Sequence, residues 1–237
     1  MFLLLSPNII LFAAAVIPAL YLLSYVYRQD KVEKEPPQLL LSLVLQGIFA
    51  TVIAKILERA GLSLVSLVAR EGTVLFSALL YFGVVAFAEE GAKYALLKRR
   101  TWNHPNFNFR FDGVVYAVFV SLGFALWENV GYVFSYGLGT AMIRAITAVP
   151  GHACFGVYMG CWYGEAYDRF RRGDEPGSRT RRIMALLLPA LLHGAYDFLA
   201  DMTGRVSAWV FVLFVAAMFL VTFRVVHRLS EEDRYIP

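Results

Sequence analysis

An all-α bundle of membrane-spanning helices is the fold class this sequence predicts, on three observations. Hydrophobic residues make up 59% of the 237-residue chain and charged residues 17%, where soluble domains average about 45–50% and about 25%. The apolar residues gather into seven runs long enough to cross a bilayer, which takes roughly 17–25 residues. Lys and Arg fall between those runs and favour alternate sides, as topology determinants do. Lipid, rather than a soluble core, is therefore the main solvent, and the chain belongs in a cell membrane as a multi-pass protein.

The runs are Asn8–Tyr27, Gln38–Leu57, Gly72–Leu97, Phe111–Phe134, Thr140–Tyr167, Ile183–Ala200 and Ser207–His227. Met1-Phe2-Leu3-Leu4-Leu5 carries no basic region, and the first run continues to Tyr27, so it reads as a retained span. The third and fifth runs exceed one span and should tilt, kink or protrude. Pro150 and Pro189 should bend the fifth and sixth, because proline removes a backbone donor. Gly61–Arg70 is too short to cross and reads as an interfacial stretch. Arg169–Arg182, with Gly173-Asp174-Glu175-Pro176-Gly177-Ser178, reads as a mobile basic loop.

Basic residues concentrate in loops one, three and five and in the tail: Lys31 and Lys34, Lys98 to Arg100, Arg169 to Arg182, and Arg228 and Arg234. The other side holds only Arg59, Arg70 and Arg205. The N-terminus is then outside and the C-terminus cytosolic. The net charge of +4 does not mark a nucleic-acid binder, because these residues lie between hydrophobic runs and not on a soluble module. Cys154 and Cys161 sit in one apolar run without metal-motif spacing and read as small apolar fillers. No linker or second domain is visible, so residues 1–237 read as a single integral-membrane domain.

Ionisable groups inside the runs are few, and such groups default to function because each costs about 2.5–3.5 kcal/mol at a helix centre. They are Glu89, Glu90 and Lys93 in the third run, Glu128 in the fourth, His152 in the fifth, and His193 and Asp197 in the sixth. Arg144 lies near the outer end of the fifth, and Lys55 is placed to snorkel. Glu89 and Lys93, four apart, share a face and should pair. Glu90 lies about 100° round the helix and should be free for chemistry. Asp197 is spaced to accept an imidazole N–H from His193. Gly156 and Gly160 should let a neighbouring helix approach His152 closely. Two carboxylates and two imidazoles suit general acid–base work. Glu128, His152 and His193 make a candidate zinc set, two His and one carboxylate leaving a position for water. Counted from the cytosolic ends, Glu89 and His193 lie about 12 and 15 Å deep, and His152 and Glu128 about 23 and 25 Å. Tilt and kinks have to close that gap for one site to form.

In order along the chain, Glu89-Glu90-Gly91-Ala92-Lys93 matches E-E-x-x-K and Phe124 to Glu128 matches F-x-x-x-E. Arg144 through His152 to Gly156 matches R…H-x-x-x-G, and His193 to Asp197 matches H-x-x-x-D. Together these resemble the PrsW family of bacterial intramembrane proteases, which is distantly similar to the CAAX prenyl protease and bacteriocin-processing superfamily. The resemblance implies an active site built from spans within residues 72–200, on Glu89, Glu90, Glu128, His152 and His193. It implies a membrane-bound protein substrate, and for the best-known member the first cut in an anti-sigma factor. The prenyl protease relatives look glutamate-dependent, and they carry histidine where this chain has Glu128 and arginine where it has Lys93. Alternatives of other classes are a proton-coupled transporter or channel, using the same groups as a relay, and a non-catalytic membrane partner. The chain shows no internal repeat of the kind many transporters have.

Overall fold

The computed structural model describes residues 7–237, so the reading of Met1–Leu5 lies outside the described residues. The chain is all-α: α1 Pro7–Gln29, α2 Pro37–Val68, α3 Val74–Ala78, a π-helical segment Leu79–Val85, α4 Ala86–Thr101, α5 Asp112–Tyr136, α6 Leu138–Ile146, α7 Ala148–Arg171, α8 Glu175–Asp201 and α9 Arg205–Glu231. The rod Val74–Thr101 is continuous. Among the described residues, six helices are long and apolar enough to cross a membrane: α1, α2, that rod, α5, α8 and α9. The remaining expected run, the fifth, is divided between α6 and α7; α7 is 24 residues long and too polar to join the six by composition. Its polar groups His152 and Asp168 are buried in protein, which is why the helix tolerates them.

α5 is the central post. Every residue from Asp112 to Ala125 is buried, and α7, α2 and α1 pack around it. Close approach to α7 rests on a ridge of glycines. A Cβ on Gly160 would lie 2.4 Å from the Cα of Val114, and one on Gly164 would lie 2.3 Å from the carbonyl oxygen of Arg110. Gly156 meets Ser121 and Val118 in the same way, as its spacing with Gly160 predicts. Gly47 and Gly123 set the α2–α5 crossing by the same device, each against the other helix's backbone. Small residues let helix backbones meet where lipid supplies little driving force for association.

Several boundaries differ from the sequence expectation, each for a local reason. α2 runs on to Val68 and absorbs most of the Gly61–Arg70 stretch; Gly61 is tolerated because Val84 packs into the space a Cβ would fill. The third run bends through the π segment, an insertion of the kind that distorts a helix without proline. The fifth run breaks at Thr147, where φ is −123° and ψ is −71°. Pro150 sits in the first turn of α7, where no donor is needed, so it shapes the start of a helix and not its middle. Pro189 is accommodated within a continuous α8. The expected mobile loop is largely helical: the Asp174 side chain accepts the backbone N–H of Gly177 at 2.9 Å, and Pro176 stands near the helix start. These are N-terminal capping signals. Arg169 pairs with Asp174 at 2.8 Å.

Opposite the later cavity, the C-terminal tail folds back. Ile236 N–H donates to the Asn108 carbonyl at 2.7 Å and Arg110 N–H to the Arg234 carbonyl at 3.1 Å, with a bridge between Phe109 and Tyr235. Beside it Asp30 and Glu35 are buried, and each has one carboxyl oxygen without a hydrogen-bond partner. Burial raises Asp30 from an ordinary 3.8 to about 6 and Glu35 from 4.5 to about 7.

Two outcomes follow from this packing. Gly160→Leu pushes α7 off α5 and should destabilise by about 1–3 kcal/mol or more, read as a lower thermal midpoint in detergent, whereas Gly139→Leu, in open space, should not. Asp30 and Glu35 hold protons more tightly folded than unfolded, so their stabilisation is full below the ordinary carboxylate range and declines as pH rises towards 7. Glu35→Gln should therefore gain stability over wild type progressively from about pH 4.5 to about pH 7 and level off above it, measured by unfolding at each pH.

Candidate active site and metal centre

Four helices deliver the ionisable residues to one buried point. α4 carries Glu89, Glu90 and Lys93, α5 carries Glu128, α7 carries His152 and α8 carries His193 and Asp197. Glu90 and Lys93 have no exposed surface, and Glu89, His152 and His193 are almost fully buried. Their depths agree better than the sequence suggested, because α8 begins at Glu175 and α5 and α7 have revised ends. Counted from the basic-loop ends at 1.5 Å per residue, Glu128, His193 and His152 lie about 24–28 Å deep and Glu89 about 18 Å.

Lys93 sits at the centre. Its ammonium donates to Glu90 Oε1 at 2.6 Å, lies 3.5 Å from Glu89 Oε2, and is 3.3 Å from His152 Nδ1. It also stands 4.2 Å over the ring of Phe124, a cation–π contact. Glu90 Oε1 meets His193 Nδ1 at 2.8 Å, and His193 Nε2 lies 3.3 Å from Asp197 Oδ2 and 3.9 Å from Glu89 Oε2. Phe155 stacks on the His193 ring at 4.7 Å. The expected i,i+4 pair of Lys93 with Glu89 forms, at 3.5 Å, but the expectation that Glu90 would be free is corrected: Glu90 holds the lysine more closely, at 2.6 Å. Residues three and four apart are both helix neighbours, and His193 from α8 draws Glu90 into the shared network.

Glu128 forms a second group beside the first. Its Oε2 accepts from Arg144 Nη2 at 2.8 Å and lies 3.1 Å from His152 Nε2. Arg144 Nε also donates to Asn129 Oδ1 at 2.9 Å, and Asn129 Nδ2 to the Ala15 carbonyl at 2.8 Å. The arginine guanidinium lies 4.0 Å over the Tyr132 ring. Sequence reasoning named Arg144 without a partner and passed over Asn129, whose signal was an amide next to Glu128 in an apolar run. Lys55 does not merely snorkel: it pairs with Glu58 at 2.8 Å, and both line the cavity.

That cavity, about 380 Å³, is bounded by Glu89, Glu128, His152 and His193 below and by Glu58, Arg144 and Asp201 towards its mouth. Its lining reaches Glu58, Arg144 and Asp201, towards the end of the bundle away from the basic loops. α2 also contributes to it, from outside the 72–200 range.

The donor set fits a metal. One ligand atom from each of Glu89, Glu90, His152 and His193 can be chosen so that all lie within 4.8 Å of one another. In a tetrahedral zinc site, ligands about 2.0–2.2 Å from the metal lie about 3.3–3.6 Å apart, so the donors would draw in by about an ångström and the Lys93 ammonium would move aside. Glu89 Oε2 and Glu90 Oε2 are buried with no hydrogen-bond partner. Of the expected zinc set, His152 and His193 fall in this group, whereas Glu128 lies outside it, engaged by Arg144.

A family model described as PrsW family intramembrane metalloprotease matches residues 35–223, a span that contains every one of these side chains. The chain belongs to the PrsW family. It is 32% identical over 213 residues to "Protease PrsW" of Bacillus subtilis (strain 168), covering 88% of this chain and 89% of that one. It is 33% identical over 217 residues to "Protease PrsW" of Clostridioides difficile (strain 630), covering 89% and 86%, and 34% identical over 189 residues to that of Geobacillus kaustophilus (strain HTA426), covering 80% and 79%. No solved structure matches the chain. As a PrsW protein it is an intramembrane protease of the metalloprotease type and a multi-span membrane protein. Its buried Glu and His residues are the group within the span matched by the family that can hold a metal.

Because Lys93 neutralises Glu90 in a site with no exposed surface, removing it strands a buried charge. Lys93→Met should destabilise by about 3–5 kcal/mol, and adding Glu90→Gln should recover much of the loss. A double-mutant cycle by thermal or denaturant unfolding checks this.

Proposed function

We propose that this PrsW protein cleaves a membrane-bound protein substrate at the cavity, with Glu89 as general base. The observation that carries the assignment is that Glu89 lines the cavity and Glu90 does not, Glu90 Oε1 being occupied by Lys93 and His193. Glu89 takes a proton from water as the water oxygen bonds to the peptide carbonyl carbon. The proton then passes to the departing amine nitrogen as the C–N bond breaks. His152 and His193 face the developing negative charge, and Asp197, 3.3 Å from His193 Nε2, orients that ring. Glu128 and Arg144 hold His152 from its other nitrogen. A metal, with zinc the candidate by ligand type, would be held by Glu90, His152 and His193, leaving Glu89 beside it for the water, and would supply Lewis-acid polarisation of the carbonyl and a more acidic water.

Seven spans, counting α7, with the N-terminus outside and the C-terminus cytosolic, follow from the basic loops at one end of the bundle. The cavity then opens on the outer face, where the flanking segment of a membrane-anchored protein is within reach. Residues 1–237 act as one protease domain. The family resemblance favours a single-pass anti-sigma factor as the substrate.

Glu89→Gln and His193→Ala should each slow cleavage of such a substrate in reconstituted liposomes by about 10²-fold or more, with the helical circular dichroism unchanged. Wild-type rates in both variants would remove the assignment. Cleavage that survives exhaustive metal stripping would keep the proteolysis and discard the metal.

A further inference from the structure

A second hollow, about 640 Å³, runs along the outside of the bundle between α2 and α5. One helix face of α2 supplies Thr51, Lys55 and Arg59, spaced four apart, and one face of α5 supplies Trp127, Gly131 and Ser135. The groove is open to the surroundings: Trp127 is 53% exposed and Tyr136 69%. It shares Lys55, Glu128 and Tyr132 with the cavity of the proposed active site, so the two hollows adjoin at these side chains. Among the described residues nothing covers it.

We propose that this groove receives the substrate as an extended peptide segment entering sideways from the bilayer, with an acidic side chain directed to Arg59. The proposal rests on the reading of the adjoining cavity as the cleavage site. Three observations carry it. The shared wall at Glu128 and Tyr132 sets a segment lying in the groove next to the cavity that holds Glu89 and the histidines. The wall is polar as well as apolar: Ser135 and the hydroxyls of Tyr132 and Tyr136 offer hydrogen bonds that an unwound backbone needs in lipid and an acyl chain does not. Charge selects the partner: Lys55 is taken by Glu58, whereas Arg59 makes no ion pair among the described residues and leaves a cation at the groove's outer end. A substrate helix must unwind before its peptide bonds are accessible, and a groove with hydrogen-bonding walls beside the cavity gives the unwound strand a place to lie.

Gly131 makes the test clean, because a Cβ there meets nothing within 4 Å, so a large side chain fills the groove without disturbing packing. The probe is a tagged single-pass anti-sigma factor fragment, its transmembrane helix plus outer flank, in liposomes with this protein. Gly131→Trp should slow cleavage at least tenfold, whereas Gly139→Trp, equally unobstructed but off the groove, should cleave at the wild-type rate. Arg59→Glu should slow cleavage of a fragment with an acidic residue in its outer flank, and changing that residue to Lys should restore it. A photo-crosslinker at Ser135 in the Glu90→Gln variant should capture the fragment. Unchanged cleavage in Gly131→Trp, or crosslinks to lipid alone, would overturn the groove assignment. Capture at Ser135 with no cleavage by wild type would instead overturn the catalytic reading and leave the groove standing.

Discussion

Lys93 carries no exposed surface, and its ammonium reaches Glu90 at 2.6 Å, Glu89 at 3.5 Å and His152 at 3.3 Å. A lone ammonium in such surroundings is strongly disfavoured, and two carboxylates together are no better. Each therefore requires the other, and both require their helices to stay in register. The lysine ties α4 to α7 through His152, and Glu90 ties α4 to α8 through His193. The network leaves Glu89, and not Glu90, lining the cavity, an asymmetry between the two carboxylates that fits the role proposed for Glu89.

Such a network holds only if the helices come close, and here backbone contact at glycines does that work. The Gly156, Gly160 and Gly164 ridge of α7 lies against α5, fixing His152 relative to Glu128. The Gly47 and Gly123 crossing fixes α2 against α5, which sets the width of the outer groove and presents Lys55 and Glu58 to the cavity. Gly194 of α8 likewise packs on Phe82 in the π segment, next to His193. Polar chemistry and small-residue packing are thus two halves of one arrangement.

The identity of the site was legible in the sequence because an ionisable residue in an apolar run is conspicuous. Glu89, Glu90, His152 and His193 stand out for that reason, and their i,i+4 spacings correctly suggested that His193 would meet Asp197. Who pairs with whom was not legible. Helix geometry allows Lys93 either glutamate, and the choice falls to His193, which arrives from a helix a hundred residues later in the chain. Glu128 has no cation near it on its own helix, so a partner from another helix was expected, and its arginine comes from α6, beyond the turn at Gly137; that arginine is what takes it out of the candidate zinc set. Helix ends were misjudged where composition conflicts with capping. The charged Arg169–Arg182 stretch hides an N-cap at Asp174, and the polar start of α8 moved its apparent boundary and distorted the depth of His193. The fold class and most spans were readable because hydropathy reports the solvent directly.

X-ray absorption at the zinc edge of the purified, zinc-loaded protein tests most directly whether Glu89, Glu90, His152 and His193 form one centre. The account predicts a shell of nitrogen and oxygen ligands with two imidazoles, falling to one imidazole in His152→Ala. Sulfur ligands, an imidazole count unaffected by that substitution, or failure to retain zinc would contradict it.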